Sequence, residues 1–358
     1  MQKIKFRFTG THTDAFNKPG VLKLVFLDLT NHCNLRCRYC YNQDNLERSA
    51  SNLPIELLEK VLESKVTREV TNWFFSGGEP LYYPYLDDAL ALFQRYGHRP
   101  KIATNGTALD PEVVDGWVSL GVQSVQFSLD TLDAAVFAGL NRGTEADHRR
   151  ILENLEYAVR SPLRVVVSSV LTRDNITDVG EIMQYCHGLG VDSYTLYPNV
   201  PATKKDLDLV VSLPQQVKVF EELLARYRDI SDTQIVDVTI PCIQFSDLYA
   251  HWKKRVAFRL HPCGAGQFNL KITSEGRVST CICQDAEDFI VGDINESTID
   301  EIWSSTEIEK FRSLSQTIPK CSTCQLQAAC RGGCRNAGYV FGNEGILSPD
   351  PLCEFFRG

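Results

Sequence analysis

Between residue 21 and about residue 230, short apolar runs alternate with amphipathic stretches, and this alternation leaves the chain few possible architectures. The strand-like runs are "VLKLVFLDL" (21–29), "NWFFS" (72–76), "KIATN" (101–105), "SVQFS" (124–128), "RVVVSSV" (164–170) and "SYTLYP" (193–198). They are rich in β-branched and aromatic residues, and most are bounded by Gly, Pro or Asn. Helical spacing fills the gaps between them. In "DNITDVGEIMQYCHGLG", Ile176, Val179, Ile182, Met183, Cys186 and Leu189 recur on one face, so Cys186 reads as core. Asp174 or Asn175 is placed to cap the start of that helix, and Gly188 or Gly190 to end it. Pro54 suits the first turn of "PIELLEKVLES". A further helix is expected around 214–228, with Phe220, Leu223, Leu224 and Tyr227 on one face. Six strands alternating with helices imply a parallel sheet with right-handed crossovers. The count suits an open doubly wound sheet or an incomplete (β/α) barrel, and in both, chemistry gathers at the carboxyl ends of the strands.

The chain has 358 residues, 43% of them apolar, enough for two domains with their own cores. A net charge of −8 argues against nucleic-acid partners, because phosphate contact needs a basic face. No apolar run reaches the ~18 residues of a membrane span. The opening "MQKIKFRFTGTHTD" lacks the apolar core of a secretion signal, so a cytoplasmic protein is expected. Thirteen cysteines are many for such a chain. In a reducing compartment, metal or iron–sulfur ligation explains them better than disulfides.

The first strand runs into "TNHCNLRCRYCYNQ", where Cys33, Cys37 and Cys40 are spaced C-x3-C-x2-C. Later strands end in "FSGGEPL", "ATNGT", "FSLDT" and "TLYP". Polar or glycine-rich turns at successive strand ends, beside a thiol loop, describe one shared pocket. Three cysteines would hold three irons of a [4Fe–4S] cluster and leave the fourth open to a small chelating ligand. A zinc site completed by His32 or a remote ligand is the alternative.

"CNLRCRYCY" and "GGEP" (77–80) resemble, in sequence and order, the cluster loop and glycine turn of radical S-adenosylmethionine enzymes. The resemblance spans roughly residues 21–200. It implies a partial (β/α)6 TIM-like barrel. It further implies that S-adenosylmethionine chelates the open iron, and that one electron cleaves it to a 5′-deoxyadenosyl radical that removes a substrate hydrogen. By the same resemblance Cys33, Cys37 and Cys40 ligate the cluster, and Tyr39 lies near the adenine. Gly77, Gly78 and Glu79 meet the methionyl amino group, mainly through backbone carbonyls. Ser128, Asp130 and Asn105 bond ribose or carboxylate, Arg142 pairs with a carboxylate, and Leu196 packs on the adenine. Ser128 and Asp130 would otherwise cap a helix, and Arg142 would otherwise be a solvated surface residue.

Eight cysteines lie between Cys263 and Cys353. Seven follow the order Cys263, Gly276-x4-Cys281, Cys321-x2-Cys324-x5-Cys330-x3-Cys334, Cys353. With Cys283 as an eighth ligand, two zinc sites would also account for them. The array resembles the SPASM extension of the same enzymes, which implies two auxiliary [4Fe–4S] clusters, three clusters in all. Cys321, Cys324, Cys330 and Cys353 would hold the outer one. Cys263, Cys281 and Cys334 would hold the inner one, with its fourth position taken by Cys283 or Cys242 or left open. The expected division is an N-terminal extension at 1–20, the barrel at 21–205, a bridging region at 206–257 and the SPASM domain at 258–358.

Relatives with this extension mature peptides, activate sulfatases, build redox cofactors or tailor small molecules. Sulfatase maturases place Asp after the cysteine equivalent to Cys281, where this chain has Ile282. Only about 20 residues precede the first strand, so the expectation is that a peptide leader would need a separate binding protein, or that the substrate is short or small. The expectation is oxidative modification or cross-linking of a ribosomally made peptide, fed by a flavodoxin- or ferredoxin-type donor. Dehydrogenation or epimerisation of a small molecule, such as an aminoglycoside-type natural product, is the runner-up. A non-catalytic iron–sulfur or zinc scaffold is the third possibility. Asp130, Tyr194 and His261 are acid–base candidates that the sequence does not rank.

Overall fold

The computed structural model describes residues 20–227, 235–238, 263–325, 327–351 and 353. The six expected strands form where the sequence puts them: β1 (Leu24–Thr30), β2 (Asn72–Gly77), β3 (Lys101–Thr104), β4 (Ser124–Ser128), β5 (Arg164–Leu171) and β6 (Ser193–Pro198). They lie side by side in chain order and all parallel. A doubly wound sheet reverses its strand order at a switch point, whereas a barrel does not. The winding is therefore that of a partial barrel.

Register sorts the side chains into two faces. Val25, Leu27, Trp73, Phe75, Phe127 and Val167 are buried on the outer face under the helices. Phe93, on helix Leu86–Arg95, packs its edge against both Trp73 and Phe75 there. Asp28 pairs with Ser76, Ala103 with Gln126, Ser128 with Ser168, and Val170 with Tyr197, so these residues share the concave face. At the amino end of the strands that face is closed by Leu24, Phe26, Phe74 and Phe268.

Three further strands extend the sheet beyond β1, after the four-residue β7 (Ile235–Val238) adds to β6. The strand β8 (Asn269–Ile272) pairs parallel with β1, and β9 (Arg277–Ser279) and β10 (Ile290–Asp293) follow antiparallel. The cysteine-rich part thus continues the barrel's own sheet. Trp303 donates to the Gly20 carbonyl at 2.9 Å, and Asp300 accepts from the Lys65 and Val66 amides at 3.0 and 2.8 Å.

One helix boundary differs from expectation. The helix after β5 runs Val179–Leu189 with Asp178 at its N-cap, not Asp174 or Asn175. Asn175 is fully buried instead, donating to the Asp130 and Val170 carbonyls, both at 2.9 Å, and accepting from Thr172. It braces the loop leaving β5, and Gly190 ends the helix in the left-handed region. Cys186 is buried on this helix, as its spacing suggests. The helix Leu213–Tyr227 forms, with Leu223 buried; the side chains of Phe220, Leu224 and Tyr227 lie outside the described residues. Among the described residues no helix is long and apolar enough to cross a membrane.

Candidate active site and metal centres

The thiol loop leaves the carboxyl end of β1. Asn31 closes its base, donating to the carbonyls of Asn45 and Ser49 at 3.1 and 2.8 Å and accepting from the Ser51 amide at 2.7 Å. Amides of Arg36 and Arg38 bond the carbonyls of Asn141 and Leu140, which ties the loop to the segment after β4. Cys33, Cys37 and Cys40 come together there and raise one another's pKa. Burial is the larger cause and pushes Cys40 up to about 12. Amide donors face the sulfurs: Leu35 N and Asn105 Nδ2 toward Cys33 at 3.4 and 3.7 Å, Asn141 Nδ2 toward Cys37 at 3.4 Å. Clustered thiols met by N–H donors fit an iron–sulfur cluster, whose ligands are deprotonated by the metal and whose sulfurs take such bonds.

Asp130 does not cap the next helix; Asp133 does. Its buried carboxylate accepts from the Tyr39 hydroxyl, from Asn141 Nδ2 at 3.1 Å and from the Val170 amide at 2.8 Å. What the structure shows Asp130 to do is anchor Tyr39 and the Cys37 loop to β5. Ser128, half-buried on the concave face, has no side-chain hydrogen bond among the described residues. Arg142 is exposed in a left-handed conformation (φ 55°) just after the Asn141 anchor.

The glycine turn fits its place with no room to spare. A Cβ on Gly77 (φ 119°) would lie 2.4 Å from the Thr30 carbonyl, and one on Gly78 only 2.1 Å from that of His32. The turn is laced to the approach of the thiol loop, Gly78 N to Thr30 O and Glu79 N to His32 O, each at 2.7 Å. Glu79 is buried and accepts from Thr104 Oγ1 and Asn105 N, both at 2.7 Å, and from Leu81 N at 3.2 Å. Burial raises its pKa to about 7 in spite of those donors. Asn105 bonds Asn34 Oδ1 at 2.9 Å and accepts from Thr107, so its described contacts brace the Cys33 end of the loop.

The structure places Leu196 and Tyr194 away from the concave face. Leu196 is wholly buried on the outer face, paired with Ser169 and Val238, and has no surface to offer a nucleotide. The concave positions of β6 are Thr195 and Tyr197, one residue out of phase with it. Tyr194 shares the outer face, donates to Ser169 Oγ at 3.0 Å and has its pKa raised by burial, so it is no lumen acid. His261 and Cys242 lie outside the described residues.

In the second array Cys263, Cys281, Cys283 and Cys334 come within electrostatic reach of one another. Cys321, Cys324 and Cys330 form a separate group. Cys353 follows Asp350, whose carboxylate accepts from the Cys334 amide at 2.6 Å. Among the described residues no three His, Cys, Asp or Glu side chains converge on a single ion. A cubane spreads its four ligands over four irons, so convergence on a point is not required.

The sequence reading missed the buried charges between these centres. Lys271, on the concave side of β8, is wholly buried, with Nζ 2.7 Å from Asp285 and 3.8 Å from Asp28, and 5.2 Å from the Tyr41 ring centre. Burial alone would lower its pKa, but the two carboxylates outweigh this and raise it. Asp28 is pushed up to about 6, chiefly by burial. The signals were a lone acid in "FLDL" and a lone base in "NLKI", each inside an apolar run.

The family model of the Radical SAM superfamily matches residues 27–186, and that of SPASM, an iron–sulfur cluster-binding domain, matches residues 263–325. The chain is a radical S-adenosylmethionine enzyme with a SPASM domain. Its cofactors are [4Fe–4S] clusters and S-adenosylmethionine. A PqqA peptide cyclase of Streptomyces rochei is 28% identical over 337 residues, covering 92% of this chain and 88% of that protein. An AdoMet-dependent heme synthase of Methanosarcina barkeri is 24% identical over 349 residues, covering 94% and 97%. The fold of Streptococcus suis SuiB, solved bound to S-adenosylmethionine and bound to precursor peptide SuiA, covers 95% of this radical enzyme. In its nucleotide-bound form the TM-score is 0.76 at 18% identity, with 79% of SuiB covered.

Proposed function

We propose that this enzyme oxidises or cross-links a ribosomally made peptide. One observation carries the reading: the Cys33, Cys37, Cys40 loop opens at the end of a barrel whose concave face is polar at that end, with a second thiol group across Lys271. A peptide substrate draws its support from relatives named for peptides, the PqqA cyclase and SuiB. The heme synthase favours a second reading, radical chemistry on a small molecule.

When bound, cluster and nucleotide supply one-electron cleavage of a sulfonium and, from it, hydrogen-atom abstraction. In this reading Cys33, Cys37 and Cys40 hold the first cluster. Asn105 and Asn141 direct N–H donors at the thiols, and Asp130 fixes the Tyr39 ring beside them. Gly77 and Gly78 let the chain pass close to β1, leaving backbone oxygens of the 77–79 turn for the methionyl amino group. Among the described residues Ser128 has no side-chain hydrogen bond and Arg142 no ion pair, which leaves a hydroxyl and a cation to offer a ribose or carboxylate. Cys263, Cys281 and Cys334 hold one auxiliary cluster, and Cys321, Cys324, Cys330 and Cys353 the other. We retain the division into 1–20, 21–205, 206–257 and 258–358, a cytoplasmic setting, a flavodoxin- or ferredoxin-type donor and a separate leader-binding protein.

Anaerobic reconstitution tests this. About twelve irons per chain are expected, with 5′-deoxyadenosine formed under reduction. The triple variant Cys33→Ala, Cys37→Ala, Cys40→Ala should keep the auxiliary iron and form none. A short precursor peptide encoded beside this chain should change mass in the assay. A chain that binds only zinc would end the proposal, and turnover of a small molecule alone would replace its substrate.

A further inference from the structure

The inner auxiliary group has four sulfurs in the structure, where the spacing of the array accounts for three. The β8–β9 hairpin explains how. Lys271 pairs with Ser279, and the turn after β9 carries "CICQ" (281–284). The Cys283 amide donates to Cys281 Sγ at 3.4 Å, folding the two residues into one thiol-presenting turn. Ser279 Oγ fixes that turn, accepting from the Cys281 amide at 3.2 Å and donating to the carbonyls of Cys281 and Gln284 at 3.1 and 2.6 Å. Gln284 then reaches Asn336 Oδ1 at 3.0 Å and the Ala202 carbonyl at 2.7 Å. This brings the turn against the helix Arg335–Phe341, whose N-cap is Cys334. Cys263 joins them from just before the Ala265–Asn269 bridge at the start of β8. Cys283 is half-buried and faces this group, with the Lys271 ammonium close enough to offset negative charge on it.

We propose that Cys283 is the fourth ligand of the inner auxiliary cluster, so that this cluster has no iron open to substrate. The proposal rests on the iron–sulfur reading above. As the iron–sulfur bond forms, the Cys283 thiol proton leaves to solvent and the iron gives up whatever solvent ligand it held; no electron moves. A fully thiolate-bound cluster of this kind conducts electrons and does not bind the substrate.

The test uses the full chain, reconstituted anaerobically, in the Cys33→Ala, Cys37→Ala, Cys40→Ala background to silence the first cluster. About eight irons are expected in this parent. Reduced samples are given 13C-cyanide and examined by electron paramagnetic and double resonance. The parent should show no 13C coupling. Adding Cys283→Ala should produce a 13C-coupled auxiliary signal, or lose about four irons while the outer cluster's signal persists. Cys283→Ser should shift the signal without cyanide coupling, and Cys242→Ala should change nothing. An auxiliary spectrum unaltered by Cys283→Ala, or cyanide binding in the parent or in Cys242→Ala alone, overturns the assignment. A parent without iron overturns this assignment and the functional reading together.

Discussion

Glu79 shows how much a single side chain contributes to the geometry of the glycine turn. Its carboxyl takes three donors, from Thr104, Asn105 and Leu81, and so joins the ends of β2 and β3 beneath the Cys33 end of the loop. Burial still wins, raising the pKa from 4.5 to about 7. The sign follows from linkage. Between those values the unfolded chain has lost the proton while the folded chain keeps it, so stability falls as pH rises. At ~1.4 kcal/mol per unit the fall amounts to about 3 kcal/mol. Anaerobic urea denaturation at intervals between about pH 5 and pH 7.5 should show it, and Glu79→Gln should flatten the profile. A wild-type profile parallel to that of the variant would refute the assignment.

At the scale of the element, β6 separates packing from binding within two residues. Leu196 fills the outer core, and Tyr197 is on the concave face. Leu196→Ala should cost about 2–5 kcal/mol in denaturation while leaving S-adenosylmethionine affinity unchanged in the folded fraction. Tyr197→Ala should do the reverse, changing cofactor or substrate affinity with little loss of stability. Equilibrium binding and thermal denaturation of both variants decide it; a binding defect in Leu196→Ala alone would restore the adenine contact. The strands themselves were legible, because each is a short apolar run closed by Gly, Pro or Asn. The phase of β6 was not. "SYTLYP" carries bulky residues in both phases, since Tyr194 and Leu196 share one and Tyr197 the other. Likewise Asn175 looks like a cap along the chain, and only the fold reveals the buried carbonyls that it satisfies. The thiol loop was legible because its three cysteines are close together in sequence. For the fourth position of the inner group the sequence offered Cys283, Cys242 or an open site without ranking them, because the choice depends on how a hairpin folds over a distant helix.

For the whole molecule, the decisive feature is the splice of β8 onto β1. Lys271 crosses that splice, pairing with Asp285 of its own half and Asp28 of the barrel. Lys271→Ala would leave the buried Asp28 and the partly buried Asp285 without their cation and should destabilise by about 3–5 kcal/mol. Adding Asp28→Asn should recover part of that loss, and the pair should be non-additive in anaerobic denaturation. Additive losses would mean that the three charges act independently. The splice was hidden in the sequence because a parallel ladder between residues 24–27 and 269–272 has no local signature.

The same ladder has a consequence for electron traffic. Tunnelling between redox centres weakens steeply with every added ångström, so a hinged appendage would make the rate fluctuate with each swing. Here the loop after β1 and the turn after β9 are stitched into one hydrogen-bonded fabric. In the proposed reading, with clusters held by both segments, the distance between them is set when the chain folds, before any nucleotide or substrate arrives.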